Sequence, residues 1–170
     1  MILALDTSTR LGSVAVGTEE GEVRARRFLP RQRAHAEELV PGIVDVLDRA
    51  GTDRRQLTGV VVGAGPGSFT GVRVAAATAK GLVRALGIPL WASSSLEAGA
   101  VTAGLRVPKL GGDVSLPPDA AGRPLRVLFD ARRDRVYAAA YRTGASGIET
   151  LAAPRATTVD GVLASEPEPG

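Results

Sequence analysis

Apolar residues recur with two different spacings along this chain, and the spacing predicts which segments are strands and which are helices. Short apolar or alternating runs are typical of strands, whereas apolar residues three and four positions apart are typical of helices. In the first half these patterns predict strands at 2–5, 13–17, 22–28, 59–62 and 90–92, and helices at 34–50, 70–86 and 96–103. The β-β-β-α-β-α order, followed by one more strand and helix, indicates an α/β fold.

The second half opens with the same pattern as the first. Strands are predicted at 125–130, 136–142 and 148–151, and three strands this close in sequence favour an antiparallel meander. When LALDTSTRLGSVAVG is aligned with VLFDARRDRVYAAAY, strand falls on strand and Asp6 falls on Asp130. We therefore predict a duplicated domain with a shortened second half.

Composition divides the chain into three parts. Residues 1–103 are predicted to form an N-terminal subdomain, and residues 125–170 a C-terminal subdomain. Between them, residues 104–124 are rich in proline and glycine and lack periodicity, which is typical of a linker or loop. The C-terminal subdomain is expected to be truncated, because only the start of a helix follows its third strand, and its proline-rich tail is expected to be disordered.

A glycine-rich segment, GAGPGSFTG at 63–71, joins a predicted strand to a predicted helix. One interpretation is an anion site, in which the backbone around Gly65, Gly67 and Ser68 faces a phosphate at the helix N-terminus. The other is a tight turn in which glycine lets the helix pack closely. The segment is not a Walker loop, because no Gly-Lys-Ser/Thr follows, and Thr70 stands where G-x-G-x-x-G needs its third glycine. Both interpretations stay open.

Asp6 ends the first predicted strand and is followed by Thr7, Ser8 and Thr9. These polar side chains either contact a phosphate or a metal-bound water, or cap the backbone of their own turn. Asp130 ends the matching strand of the second half.

Composition excludes several kinds of chemistry. There is no cysteine and only one histidine, His35, so thiolate chemistry and any site needing two histidines are excluded within this chain. The net charge is +3 and the basic residues form only short clusters, which is weak support for direct nucleic-acid binding. No apolar run approaches the length of a membrane span and the first residues lack a signal-peptide pattern, so we expect a cytoplasmic protein without membrane contact.

Two of the predicted helices carry surfaces on which another element can pack. Helix 34–50 has an apolar face, and His35 at its start is expected to be a surface or capping residue rather than a catalyst. Helix 70–86 has a face of small residues, which lets a second helix approach closely. That second helix belongs either to this chain or to another subunit.

Together these motifs resemble the TsaB family of bacterial threonylcarbamoyladenosine biosynthesis proteins, within the superfamily of actin, sugar kinases and the Hsp70 ATPase domain. The similarity rests on LALDTST, RAHAEELVP, GAGPGSFTGVRVAAATAKGL, SSSLEA and FDARRDRVYAA. The resemblance implies a duplicated actin-like, ribonuclease H-like fold. The nucleotide pocket that it implies is vestigial and consists of Asp6, Ser8, Thr9, Gly65, Gly67, Ser68 and Asp130.

The resemblance further implies a non-catalytic scaffold subunit in tRNA N6-threonylcarbamoyladenosine modification. Such a subunit binds the catalytic subunit TsaD, which the ATPase TsaE joins. It forms a homodimer when alone and meets tRNA only through the complex. Residues 92–98 lack the His-x-x-x-His motif of TsaD-like proteins, so no metal and no catalytic residue are expected, and ATP or ADP is expected to bind only in the complex. The implied partner surface consists of His35, Leu39, Ile43, Leu47, Gly71, Ala75, Thr78 and Leu82.

Two other functions are kept as alternatives. The resemblance to the actin superfamily implies a small kinase or ATPase as one alternative. It would use Asp6, Ser8 and Thr9 at one phosphate loop and Asp130 at the other. It needs an adenine-binding glycine motif beyond Asp160, where few residues follow. A glycoprotease-like peptidase is disfavoured further, because the chain has no Ser-His-Asp or zinc-protease spacing.

Overall fold

The computed structural model describes residues 1–29, 35–104, 124–144 and 147–165. These residues form two compact units, Met1–Ser94 and Ser95–Gly170. Within the described ranges no helix is long and apolar enough to cross a membrane. The α/β class and the order of strands and helices that the sequence predicted are confirmed.

The first unit is a five-stranded sheet with two helices on one face. Its elements are β1 (Ile2–Asp6), β2 (Gly12–Gly17), β3 (Val23–Leu29), α1 (His35–Arg49), β4 (Gly59–Gly63), α2 (Phe69–Leu86) and β5 (Leu90–Ser93). The strand order is β3-β2-β1-β4-β5, in which the first three strands are antiparallel and β4 and β5 run parallel to β1. A short 3₁₀ helix, Arg54–Gln56, precedes β4.

Alternation of side chains along the strands places the core of the first unit between the sheet and the two helices. In β1, Leu3 and Leu5 are buried while their neighbours are only half-buried, as expected where successive side chains point to opposite faces. Helix α1 packs on β2 and β3, and α2 packs on β4 and β1. The buried apolar residues are Leu3, Leu5, Val14, Val16, Ala25, Leu29, Leu39, Ile43, Val46, Leu47, Leu57, Val60, Val62, Ala75 and Ala79.

The ends of α2 follow from its sequence. Ser68 caps the first turn, and Gly87, with a φ of +69°, closes the last turn by donating its N–H to the Val83 carbonyl. Glycine adopts this left-handed conformation without the steric cost that a Cβ atom adds. The helix predicted at 70–86 is accordingly found at Phe69–Leu86.

The second unit is a three-stranded antiparallel sheet, in the order β6-β7-β8, on which α3 packs. Its elements are α3 (Ser95–Gly104), β6 (Pro124–Asp130), β7 (Arg135–Gly144), β8 (Gly147–Thr158) and α4 (Val159–Ala164). Leu96 and Ala100 of α3 share a small core with Ala139 and Tyr141 of β7. Strand β8 extends well beyond the predicted 148–151 and includes a proline, which an edge strand tolerates.

The position of α3 shows that the boundary between the two units lies earlier in the chain than the sequence predicted. Helix α3 packs on β6 and β7 and therefore belongs to the second unit, so the boundary lies between Ser94 and Ser95 rather than after residue 103. The helix is short and carries apolar or small residues almost all round, so its sequence does not indicate which sheet it covers. Most of the predicted linker, 105–123, and the tail predicted to be disordered, 166–170, lie outside the described residues.

Candidate functional site

The turn after β1 is closed by its own polar groups. Asp6 lies at the end of β1, and its Oδ1 accepts a hydrogen bond of 2.7 Å from the N–H of Ser8. Thr7 and Ser8 are almost completely buried, and the Thr9 hydroxyl donates to the Leu11 carbonyl at 2.8 Å. These are the contacts expected if the polar side chains cap their own turn.

The glycine-rich segment between β4 and α2 is bonded directly to this turn. The Ser68 N–H donates to the Ser8 carbonyl at 2.6 Å, and the Thr7 hydroxyl donates to the Gly71 carbonyl at 2.6 Å. Ser68 also caps α2, because its Oγ accepts the Gly71 N–H at 3.3 Å. We call this arrangement the turn–loop joint. It consists of Asp6, Thr7, Ser8, Gly63, Gly67, Ser68 and Gly71.

Three glycines make the turn–loop joint possible. A Cβ atom on Gly71 would lie 1.9 Å from the Thr7 carbonyl oxygen, and one on Gly67 would lie 2.3 Å from that of Ser8. A Cβ on Gly63 would lie 2.2 Å from the carboxylate of the same turn. None of these distances is possible for a real Cβ atom, so the two segments approach as closely as they do only because the glycines have no side chain. The geometry therefore supports the interpretation of the segment as a tight turn against which the helix packs.

The turn–loop joint also occupies donors that a phosphate at this helix N-terminus would need. The N–H groups of Ser68 and Gly71 already donate within the protein. Of the residues predicted for the nucleotide pocket, the structure brings the turn of Asp6 together with the glycine-rich segment, whereas Asp130 lies in the second unit. In the part of the chain that the structure describes, no group of three or more His, Asp or Glu side chains is placed to bind a metal ion.

The matching turn of the second unit follows β6 and is exposed. Asp130 Oδ1 accepts a hydrogen bond of 2.8 Å from the Arg132 N–H. Arg132, Arg133 and Asp134 have φ angles of 66°, 51° and 57°, a region that is sterically unfavourable for residues with a Cβ atom. The turn borders an open groove of about 750 Å³ between β6 and the start of α4. Asp130 is the residue of this turn that the sequence predicted as part of a site.

Most residues predicted for the partner surface lie instead inside the first unit. The residues covered within the chain are His35, Leu39, Ile43, Leu47, Gly71 and Ala75. Thr78 and Leu82 are half-buried, and Leu82 packs against the same core. Because side chains that pack on the sheet are not available to another protein, the residue assignment of the partner surface is corrected, and the surface itself stays a prediction.

His35 is a buried link rather than a surface or capping residue. It is 2% exposed, and its Nε2 lies 3.1 Å from the Leu29 carbonyl oxygen, to which it donates. No hydrogen-bond partner for Nδ1 is found among the described residues. A Cβ on Gly12 would approach Nε2 to 3.1 Å, so the ring fits closely against β2. His35 thus ties the start of α1 to the end of β3.

The surface that α1 and α2 do expose carries other residues. Val40 and Val44 of α1 are 55% and 53% exposed. Phe69 at the start of α2 is 75% exposed, and the Arg73 guanidinium lies 5.1 Å from its ring centre. We call this the α1–α2 surface. Its charged residues are Glu37 and Asp48 on α1, with Arg49 in the last turn, and Arg73, Lys80 and Arg84 on α2. Because α1 has apolar residues on both its buried and its exposed side, apolar spacing alone did not identify the α1–α2 surface.

Comparison with solved structures defines the class of protein. The fold superimposes on YeaZ from Pseudomonas aeruginosa with a TM-score of 0.73 and 30% sequence identity, over 91% of this chain and 66% of that chain. YeaZ has the actin-like, ribonuclease H-like fold, so this prediction of the fold class is confirmed.

Comparison of sequences defines the family. A family model described as TsaD, tRNA N6-adenosine threonylcarbamoyltransferase, matches residues 27–170. The tRNA threonylcarbamoyladenosine biosynthesis protein TsaB of Escherichia coli is 34% identical over 148 residues, which are 86% of this chain and 57% of that protein. An uncharacterized protein of Mycobacterium tuberculosis is 37% identical over 144 residues, 84% of this chain and 60% of that protein. This chain belongs to the TsaD family and is a TsaB/YeaZ-like member of it. It spans about 60% of the length of these two relatives.

Proposed function

We propose that this chain is a non-catalytic subunit in tRNA threonylcarbamoyladenosine biosynthesis and binds a TsaD-type catalytic subunit through the α1–α2 surface. The family and the TsaB relatives support the pathway. The proposal includes a TsaE-type ATPase that joins the pair, a homodimer in the absence of the catalytic subunit, tRNA contact only through the complex, and nucleotide binding only there.

The observation that carries the proposal is the exposure of large apolar side chains on two adjacent helices. Helices α1 and α2 contact each other, and Val40, Val44 and Phe69 are all more than half exposed. Large apolar side chains left exposed beside charged residues are typical of a protein-binding surface. Since the residues beneath them fill the core, these exposed side chains do not serve the fold of the unit itself.

Charge supports a partner of the same fold. Glu37 and Asp48 are exposed acidic residues of α1, and the exposed Arg49 pairs with Asp45 within that helix. The exposed charged residues of α2 are all basic. A two-fold arrangement in which α1 of each subunit lies against α2 of the other would bring unlike charges face to face. A TsaD-type subunit, as a member of the same family, is expected to present the same pair of helices.

The proposal is tested by reconstitution. The purified chain is added to a TsaD-type subunit, a TsaE-type ATPase, tRNA, ATP and threonylcarbamoyl-adenylate, and modified adenosine is measured. We expect modification to depend on this chain. Equal modification with and without it would contradict the proposal, and ATP hydrolysis by the chain alone would support the ATPase alternative instead.

The surface is tested by a matched pair of variants. Val44→Arg places a charge on the exposed side of α1, so co-elution with the TsaD-type subunit should be lost, because burying an unpaired charge is costly. Ala98→Arg introduces the same charged side chain at an exposed position of α3 and should leave co-elution unchanged. Circular dichroism checks that both are folded. Co-elution of Val44→Arg at the wild-type level would place the interface elsewhere.

A further inference from the structure

Thr7 is a buried polar residue whose side chain joins two elements of the first unit. It is 0% exposed, and its hydroxyl donates to the Gly71 carbonyl at 2.6 Å. The bond connects the turn after β1 to the first turn of α2 across a sequence separation of 64 residues. A buried hydroxyl requires a partner, and here that partner belongs to the helix that carries Phe69 and Arg73.

The helix itself does not require this bond. Gly71 lies inside α2, so its carbonyl is the regular acceptor for the N–H four residues later. A carbonyl oxygen has two lone pairs, and the Thr7 hydroxyl uses the second. The bond therefore adds no missing hydrogen bond to α2, and its effect is to fix where the first turn of the helix lies.

The contact is close enough to fix that position. Gly71 meets the Thr7 backbone with no room for a methyl group, and Ser68 is bonded to Ser8 at the same place. Phe69 and Arg73 stand two residues before and two after Gly71, and they stack on each other at 5.1 Å. The residue at which the turn holds α2 is thus buried and lies between the two members of the exposed aromatic–arginine pair in sequence.

We propose that Thr7 is a positioning residue for partner binding: its hydroxyl holds the first turn of α2 so that Phe69 and Arg73 are presented to the partner in one fixed arrangement. This inference rests on the proposed function, because it takes the α1–α2 surface to bind a TsaD-type subunit. Thr7 itself is covered and does not touch the partner.

The test is a double-mutant cycle on the affinity of the full chain for the TsaD-type subunit. Thr7→Val keeps the shape and removes the hydroxyl, Thr7→Ser keeps the hydroxyl, and Phe69→Ala removes the ring. We expect Thr7→Val to weaken binding about tenfold, within the range of coupling between linked residues. It should have a clearly smaller effect in the Phe69→Ala background, where only Arg73 is left to be positioned, and Thr7→Ser should restore most of the affinity.

The outcomes separate the possibilities. Equal weakening by Thr7→Val with and without Phe69 would show a general loss of stability and overturn the inference, as would unchanged binding. If the Thr7→Val chain does not fold, Thr7→Ala takes its place as the variant without the hydroxyl. The same cycle with Phe69→Ala then compares it with Thr7→Ser. No binding by the wild-type chain would overturn the proposed function and this inference with it, whereas wild-type binding without coupling overturns this inference alone.

Discussion

The two strand-end turns of this chain begin in the same way. In the first unit Asp6 Oδ1 accepts the N–H of Ser8 at 2.7 Å, and in the second unit Asp130 Oδ1 accepts the N–H of Arg132 at 2.8 Å. Each carboxylate accepts from the residue two positions further along, which is the geometry of an Asx turn. The two halves therefore share not only the strand pattern but also this hydrogen bond in the turn after the first strand.

The surroundings of the two turns differ. The turn of Asp6 is covered by the glycine-rich segment and shares hydrogen bonds with it. The turn of Asp130 is exposed, passes through three residues with positive φ and borders an open groove. The comparison teaches that the strand–Asp motif determines the local turn but not whether the turn is buried in a joint or exposed beside a groove. That difference depends on what packs against the turn.

The largest effect is expected from filling the closest contact of the turn–loop joint. Gly71→Ala puts a Cβ 1.9 Å from a backbone oxygen, and backbone cannot rotate away as a side chain can. We expect a loss of about 3 kcal/mol in the free energy of unfolding, the upper range for overpacking. The single tryptophan, Trp91, lies in β5, so its fluorescence during urea unfolding reports on the first unit.

The control for this prediction lies on the same helix. Gly81 is exposed and has nothing within 4 Å of the position of a Cβ, so Gly81→Ala should gain up to about 1 kcal/mol from helix propensity. A Gly71→Ala variant as stable as the Gly81→Ala variant would show that the joint is not tightly packed.

A smaller effect is expected from removing the two carboxylates in turn. Asp6→Ala should cost about 2 kcal/mol, because a charge-assisted hydrogen bond in a packed turn is lost, and Trp91 fluorescence measures it. Asp130→Ala should cost about 0.5 kcal/mol or less, because water replaces the bond at an exposed site. Hydrogen exchange of β6 and β7 measures that change. Asp6→Asn keeps the acceptor oxygen and should lose less than Asp6→Ala. Equal costs at the two turns would contradict the difference drawn between them.

The elements themselves could be predicted because their signals are local. Alternation in β1 and β2, helical spacing in α1, and glycine with proline after α2 each depend on neighbouring residues only. The duplication was visible for the same reason, since Asp6 and Asp130 end similar strands. The internal hydrogen bond of each turn is also a local feature.

Features that depend on distant contacts could not be predicted. Leu39 and Val44 both lie at helical spacing on α1, yet only the first is buried, because which face meets the sheet is decided by the docking angle of the helix. The partner of α3 was missed because a short helix of small residues fits either sheet. The Thr7–Gly71 bond was also missed, since nothing in the sequence around Thr7 indicates a partner 64 residues away.

A similarly small effect, of opposite sign, is expected from the backbone strain that distinguishes the exposed turn from the turn of Asp6. Arg133 has a φ of 51°, and the left-handed conformation costs a residue with a Cβ atom about 1 to 2 kcal/mol. Glycine avoids this cost but loses about 0.5 to 1 kcal/mol of chain entropy, so Arg133→Gly should stabilise the second unit by about 0.5 kcal/mol. Hydrogen exchange of β6 and β7 measures the gain as slower exchange.

The matched control removes an arginine from the corresponding turn of the first unit. Arg10 is exposed and is not among the described residues with positive φ, so Arg10→Gly has only the entropic cost and should destabilise the first unit by about 0.5 to 1 kcal/mol. Opposite signs for the two arginine-to-glycine changes would trace the difference between the turns to backbone conformation. If Arg133→Gly also destabilised its unit, the turn would owe its shape to contacts of the arginine side chain, and the strain would be ruled out as the distinguishing feature.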